Sequence, residues 1–241
     1  MSKQPEKDKK LKAIVVGNSP SVLNHEYGEL IDGYDIVIRI NRCPTEGYEK
    51  HIGSKIDIWA TTRNTYYKAH DRKWVPKKYD KLKYVWHRTA KSQRRVNGLP
   101  KDLMSKKRSS VMYKRGVLRK NYKEYFYSGK SKAHGYELLD TGHELCTGLI
   151  TIMYSTLCYE DVTIHGFTFY ADQNDGKITA YYREKEAIDD KHPEDEHWEE
   201  NKSSGFASEE VAKIKQDIVN DLVSKGKIKI LQHIETNNTE E

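Results

Sequence analysis

The 241 residues suit one domain with a sizeable core, and at 36% hydrophobic against 32% charged that core must sit inside a heavily charged surface, with the abundant tyrosines supplying part of its apolar area. The polar segment 1–10 has no apolar run of the kind a signal peptide or membrane anchor needs, so the chain reads as soluble. Three cysteines, Cys43, Cys146 and Cys158, show neither metal-ligand nor disulfide-framework spacing, which argues against a secreted cystine scaffold and for a reducing, cytoplasmic setting.

In chain order, a polar tail (1–10) leads into one domain (11–232) followed by a second polar tail (233–241). Residues 11–16 and 35–40 are apolar and β-branched, as parallel strands buried on both faces are, and 22–31 supplies a helix between them. Further strands are expected over 56–61, 83–87 and 162–165, with a buried helix over 148–159. The stretch 171–204 is acidic and poor in apolar residues, which predicts a mobile lid. Val211, Ile214, Ile218 and Leu222 recur at helical spacing behind Ser208, a capping residue, with Glu209 and Glu210 in the first turn. Gly226 then precedes a strand over 227–231. No internal repeat is visible, and the alternation of strand and helix defines the fold class as α/β, a single-domain Rossmann-like sheet.

The formal charge of +6 hides an asymmetry. Between Lys68 and Lys132 there are 22 Lys plus Arg against 4 Asp plus Glu, a local +18 that leaves −12 for the rest of the chain. Basic clusters such as Lys77-Lys78, Arg94-Arg95 and Lys106-Lys107-Arg108 are interleaved with Trp74, Tyr79, Trp86, Tyr113 and Tyr122. Basic side chains with stacking aromatics suit a nucleic-acid strand, so a nucleic-acid-binding module is the rival reading from a different class. An anionic membrane surface or an acidic glycan acceptor accounts for the same charge, as does a solvated face beside a substrate site.

The turn Gly17-Asn18-Ser19-Pro20 falls at the carboxyl end of the first strand, where open α/β sheets bind ligands and a helix N-terminus can face a phosphate. Gly17 allows close backbone approach, Asn18 and Ser19 offer short side chains to a base, ribose or phosphate, and Asn41 emerges beside them from the next strand. The same residues can serve structure alone: Asn18 and Ser19 shaping a turn, Asn41 a strand end, Thr147 capping a helix.

Five elements of this region resemble the large sialyl motif of the sialyltransferase family found in animals and plants. They are Val15-Val16-Gly17-Asn18-Ser19, Ile31-Asp32-Gly33-Tyr34-Asp35, Arg39-Ile40-Asn41-Arg42, Pro44-Thr45-Glu46-Gly47-Tyr48-Glu49 and Ile52-Gly53-Ser54-Lys55. Thr147-Gly148, the helix to Cys158 and Asp161-Val162-Thr163-Ile164-His165-Gly166-Phe167 are similar to the small motif. His197-Trp198-Glu199-Glu200 resembles the short third motif, with Glu199 where an aromatic is usual. The resemblance touches roughly a third of the chain and does not extend over 65–139.

The resemblance implies an A-type glycosyltransferase-like variant of the fold, inversion at the anomeric carbon and neither cofactor nor metal. The donor would be a cytidine monophosphate (CMP)-linked acidic sugar, sialic acid or the similar 3-deoxy-manno-octulosonic acid, transferred to a glycan or glycolipid hydroxyl. Carried over by position, Asn18, Ser19 and Asn41 would contact the nucleotide, Thr147 and Gly148 the donor, and Phe167 and Thr168 the cytidine or ribose. His197 would sit near the phosphate, with Tyr170, Tyr181 or Tyr182 offering hydroxyls; a structural role for these tyrosines and for His165 stays open. In the family a cysteine before the large motif pairs with one in the small motif. Cys158 lies close to the second position, but 12–16 hold no partner, which makes the chain more like a soluble bacterial or viral member.

The last family motif places a catalytic histidine before the final helix, where this chain has Ala207. Three explanations stay open: a substituted base and hence an inactive chain, another base such as His197 or His192, or a shifted motif. His143 with Glu144 offers an alternative base pair near the helix start, against the blander reading that both simply lie at the surface. Asp172, Asp175, Asp189 and Asp190 suit a metal-dependent transferase but read as solvated acids. A dinucleotide oxidoreductase is disfavoured because the first turn lacks the second and third glycines of that fingerprint. The reading is therefore a sialyltransferase-like enzyme, peripheral at a membrane if residues 68–132 meet one, and not a nucleic-acid binder.

Overall fold

Apolar, β-branched runs form parallel strands because main-chain groups pair edge to edge while both faces are covered. The computed structural model describes residues 8–61, 81–88, 109–112, 117–125, 146–168, 180–181 and 209–231. Its strands are β1 (Asp8–Val16), β2 (Ile36–Ile40), β3 (Ile58–Thr61), β4 (Tyr84–His87), β5 (Ser109–Val111), β6 (Tyr159–His165) and β7 (Lys229–Ile230). They make one parallel sheet in the order β5-β4-β3-β2-β1-β6-β7. Val16 lies opposite Arg39 on one side and His165 on the other. The chain steps outward in one direction from β1 to β5 and then returns to the far side of β1, so the strand order reverses between β1 and β6. In open α/β sheets such a reversal is where ligands bind, beyond the carboxyl ends of the strands.

Side-chain alternation divides the core. Ala13, Val15, Ile36, Ile38, Ile40, Ile58 and Ala60 face helix α4 (Thr147–Cys158) and helix α5 (Glu209–Ser224), which contribute Leu149, Ile152, Met153, Ile218 and Leu222. Ile14, Val16 and Val37 face the opposite side, against Tyr27 and Ile31 of the segment holding α1 (Gly28–Asp32). Helix α4 is buried almost all round, and its hydroxyls bond inside the helix: Thr151 to the Thr147 carbonyl and Ser155 to the Thr151 carbonyl, both at 2.7 Å. The remaining helices are the short α2 (Glu49–Ile52) and α3 (Val117–Asn121). No helix among the described residues is long and apolar enough to cross a membrane.

Three details depart from the sequence expectation. The β1 strand begins at Asp8, inside the expected polar tail, because its backbone reaches Tyr159 across an irregularity between Asp8 and Lys12. The single helix expected over 22–31 is two pieces, a 3-10 helix Pro20–Asn24 and then α1. His25 is extended between them, at φ −135° and ψ 155°, so its ring stacks on Tyr27 at 4.7 Å. Finally, β5, α2 and α3 were not anticipated; β5 is Ser-Ser-Val, recruited by backbone pairing with β4 rather than by an apolar run.

Candidate active site at the β1–β6 reversal

The turns leaving β1 and β6 are stitched together by their backbones. Gly17 N–H donates to the His165 carbonyl at 2.8 Å and Ser19 N–H to the Gly166 carbonyl at 3.2 Å. A Cβ on Gly17 would overlap the Gly166 carbonyl oxygen, and Gly166 itself has φ +73°, so both positions call for glycine.

Asn18 then reaches sideways. Its amide nitrogen donates to the carbonyls of Ile40 and Arg42, each at 3.0 Å, which ties the first turn to the one after β2. Two carbonyl partners fix which end of the amide is nitrogen, and they leave Oδ1 buried with no partner among the described residues. Ser19 caps the 3-10 helix, its Oγ accepting from Ser21 N–H and from the Thr168 hydroxyl, both at 3.2 Å. Asn41 sits between the two carbonyls that Asn18 holds, in the left-handed region at φ 52°, a conformation Asn tolerates better than most residues. Its N–H donates to Ala60 at 2.8 Å and its carbonyl accepts from the Trp59 indole at 2.7 Å.

On the β6 side, Cys146 rather than Thr147 caps α4, its Sγ accepting from Leu149 N–H at 3.4 Å. Thr147 is thus the first helical residue, and it is buried. A Cβ on Gly148 would stand 3.0 Å from the Phe167 ring, so the absence of a side chain lets that ring lie on the first turn of the helix. The Gln216 side chain of α5 donates to the Thr168 carbonyl at 3.1 Å, joining the last helix to the same edge.

Tyr181 connects the remaining pieces. Its N–H donates to Asn18 and its hydroxyl donates to Pro44 at 2.6 Å, while its ring packs edge-on against Tyr48 at 5.0 Å. The hydroxyl expected to reach a donor phosphate therefore has its proton engaged within the protein.

The charges beneath this edge are held by burial. Arg39 is 1% exposed and its guanidinium is made more acidic by desolvation, yet it keeps the Lys55 carbonyl at 2.9 Å and the Ile52 carbonyl at 2.6 Å. Burial pushes the neighbouring Cys43 thiol up to about 12. His165 is lowered to about 4 by burial and by nearby His25, and its Nε2 has no partner among the described residues. His87 is likewise lowered to about 4 by burial. All three cysteines are free thiols.

One edge of the sheet thus gathers Asn18, Ser19, Asn41, Thr147, Gly148, Phe167, Thr168 and Tyr181. Tyr170, Tyr182, His197 and Ala207 lie outside the described residues, as do His143, Glu144, His192 and the acids at 172, 175, 189 and 190. Among the described residues no group of three His, Cys, Asp or Glu side chains is placed to hold a metal. Sequence reasoning missed Arg39, Gln216 and Lys215. The signal for Lys215 was present, since it follows Ile214 and precedes Ile218 by three, on the apolar stripe of α5.

A parallel α/β sheet whose strand order reverses beside two close-packed glycine turns defines an open α/β class of protein, in which ligands bind at the carboxyl ends of the strands. Residues 1–202 match the family model described as glycosyltransferase family 29 (sialyltransferase), and the chain belongs to that family. A beta-1,6-galactosyltransferase of Arabidopsis thaliana is 54% identical over 48 residues, 20% of this chain and 12% of that protein. A CMP-N-acetylneuraminate-beta-galactosamide-alpha-2,3-sialyltransferase of Gallus gallus is 27% identical over 158 residues, 64% of this chain and 43% of that protein. The chain therefore spans less than half the length of these curated relatives. A crystal structure of a mammalian sialyltransferase in complex with Gal-beta-1-3GalNAc-ortho-nitrophenol superposes with a TM-score of 0.52 at 18% identity. It covers 92% of this chain and 69% of that one, a likeness of fold.

Proposed function

We propose that this chain moves sialic acid from its CMP conjugate to a hydroxyl of a glycan or glycolipid. The observation that carries the reading is the buried Oδ1 of Asn18, without a partner among the described residues, beside the Gly17–Gly166 contact at the carboxyl edge where open α/β sheets bind ligands. A ribose hydroxyl or cytosine amino group supplies the donor that Oδ1 lacks. The N-terminus of α4 favours an anionic donor, and loss of CMP as leaving group requires a base at the acceptor hydroxyl. Family membership and the sialyltransferase relative support this donor class. The relatives reported above lend no support to 3-deoxy-manno-octulosonic acid.

Calorimetry with CMP, UMP and NAD tests the reading. Binding of CMP that survives excess chelator, with no binding of NAD, is expected. NAD binding tighter than CMP, or loss of CMP binding that Mg²⁺ or Mn²⁺ restores, overturns the metal-independent CMP donor. A second reading, galactosyl transfer, is favoured by the 54% identity to the galactosyltransferase over 48 residues. Preference for UMP over CMP would select it.

A further inference from the structure

Tyr181 lies far along the chain from the turns it meets, yet it holds both ends of the Asn18 bridge. Its N–H donates to the Asn18 carbonyl at 3.1 Å, and its hydroxyl donates to the Pro44 carbonyl at 2.6 Å. The Asn18 amide in turn donates to the carbonyls of Ile40 and Arg42. The turn after β2 is thus held at every second carbonyl, Ile40, Arg42 and Pro44, by two residues that are bonded to each other. The direction of Oδ1 follows, because an amide whose nitrogen is pinned to two carbonyls turns its oxygen only as far as those carbonyls move. The Tyr181 ring is 2% exposed, clustered with Val22, Tyr48 and Ile52, and that packing aims its hydroxyl at Pro44. A phenol has one proton to give, and a phosphate or carboxylate oxygen only accepts. The hydroxyl therefore cannot serve an anionic donor without releasing Pro44.

We propose that Tyr181 is a positioning residue: it touches no part of the donor and fixes the turn against which Asn18 is oriented. The inference rests on the donor reading above, in which Asn18 Oδ1 accepts from the nucleoside. A binding group is only as well placed as the residues that lock it, so the bond from Tyr181 to Pro44 acts on donor affinity through Asn18.

The test is a double-mutant cycle in CMP affinity, measured by calorimetry on the intact chain, Tyr181→Phe, Asn18→Ala and the pair. Beside it, the Asn18 side-chain amide is followed by NMR, where Asn18→Ala identifies the signal by its loss. Tyr181→Phe keeps the ring packing and removes the hydroxyl, so it should weaken CMP binding by roughly three- to tenfold and shift the amide signal. Once Asn18 is alanine, it should cost nothing further. An equal loss in both backgrounds shows that Tyr181 acts without Asn18, and an unchanged affinity in a folded Tyr181→Phe shows that it supports the fold alone; either result overturns the proposal. Should Tyr181→Phe fail to fold, the intact chain decides. CMP should then move the Asn18 amide signal and leave the Tyr181 hydroxyl proton in place, whereas no response at Asn18, or a hydroxyl proton that moves with CMP, overturns the proposal. If Asn18→Ala binds too weakly to complete the cycle, the amide signal decides alone: shifted in Tyr181→Phe it keeps the positioning role, unmoved it removes it. If CMP does not bind the intact chain, the donor reading fails by itself, and the same signal shows whether Tyr181 still holds Asn18 or the positioning role falls with it.

Discussion

The Arg39 guanidinium donates to the Ile52 carbonyl at 2.6 Å, so a buried cation in the middle of the sheet caps the last turn of α2. The Asp32 carboxylate meets the other side of that turn, accepting from Ser54 N–H and Lys55 N–H at 2.9 Å each. The sialyl-like elements around Asp32, Arg39 and Ile52-Gly53-Ser54-Lys55 are thereby one folding unit, with Gly53 at φ +68° making the turn. Replacing Arg39 by Met takes the donor from the buried Ile52 carbonyl and the half-buried Lys55 carbonyl, and each left unpaired costs about 1–3 kcal/mol, partly offset by removing a buried charge. Arg39→Met should lower unfolding stability by roughly 2–4 kcal/mol in urea titration, and a change under about 0.5 kcal/mol would mean that those carbonyls find other partners.

The two glycines at this edge of the sheet, Gly17 and Gly148, should respond differently to alanine. At Gly17 the added methyl meets backbone, which cannot step aside, whereas at Gly148 it meets the edge of the Phe167 ring at 3.0 Å. Gly17→Ala should therefore cost stability of about 1–3 kcal/mol, by analogy with overpacked cores. Gly148→Ala should leave the melting temperature within a few degrees and weaken CMP binding by displacing Phe167. Equal effects on both observables in both variants would show that the turns leaving β1 and β6 and the start of α4 respond as one body.

Much of this arrangement was legible in the sequence because it rests on local chemistry. Apolar β-branched runs at 11–16 and 35–40 can hardly be other than buried parallel strands, and Gly17 marks a close approach whatever it approaches. What Gly17 approaches, the Gly166 carbonyl, depends on β6 pairing with β1 some 149 residues later, which no local pattern encodes. The same holds for Gln216 with Thr168 and for Tyr181 with Pro44. The broken helix at 20–32 was misread because periodicity sees Val22 and Ile31 on one stripe but not the space that His25 and Tyr27 need.

Acid should destabilise the fold before its carboxylates matter. His87 and His165 titrate near 4 when folded and near 6.5 when unfolded, because burial disfavours the charged ring. The unfolded chain therefore binds more protons between those values, so stability is full above about pH 6.5 and is lost as pH falls towards 4. Each ring contributes a loss of about 1.4 kcal/mol per pH unit, roughly 2 kcal/mol by pH 5. Urea midpoints at pH 7, 6 and 5 should fall accordingly, and His87→Leu should about halve the slope. A flat profile over that range would show that both rings gain protons without unfolding.

The basic segment gives a prediction read from sequence alone. Reversing Lys106, Lys107 and Arg108 to Glu should reduce association with anionic vesicles or acidic glycans at low salt, where screening reaches about 10 Å or more, and leave CMP affinity intact. Tight, steeply salt-dependent binding of single-stranded nucleic acid without CMP binding would instead select the nucleic-acid module.

The position before the final helix separates binding from chemistry. The family match ends at residue 202, so it does not cover Ala207, and the base that the resemblance places there is missing from this sequence. Alanine cannot take a proton. If Ala207 stands at the base position, the chain should bind donor normally and transfer slowly, since a general base contributes about 10²–10⁴-fold, or roughly 3–5 kcal/mol of barrier. Ala207→His should then raise kcat by about that factor with little change in CMP affinity, and the rate should acquire a pH dependence near an ordinary histidine value, about 6.5. His197→Ala must be measured beside it. A rate that is substantial in the unaltered chain, unchanged by Ala207→His and abolished by His197→Ala, with CMP affinity kept, would place the base on His197 and the last motif elsewhere.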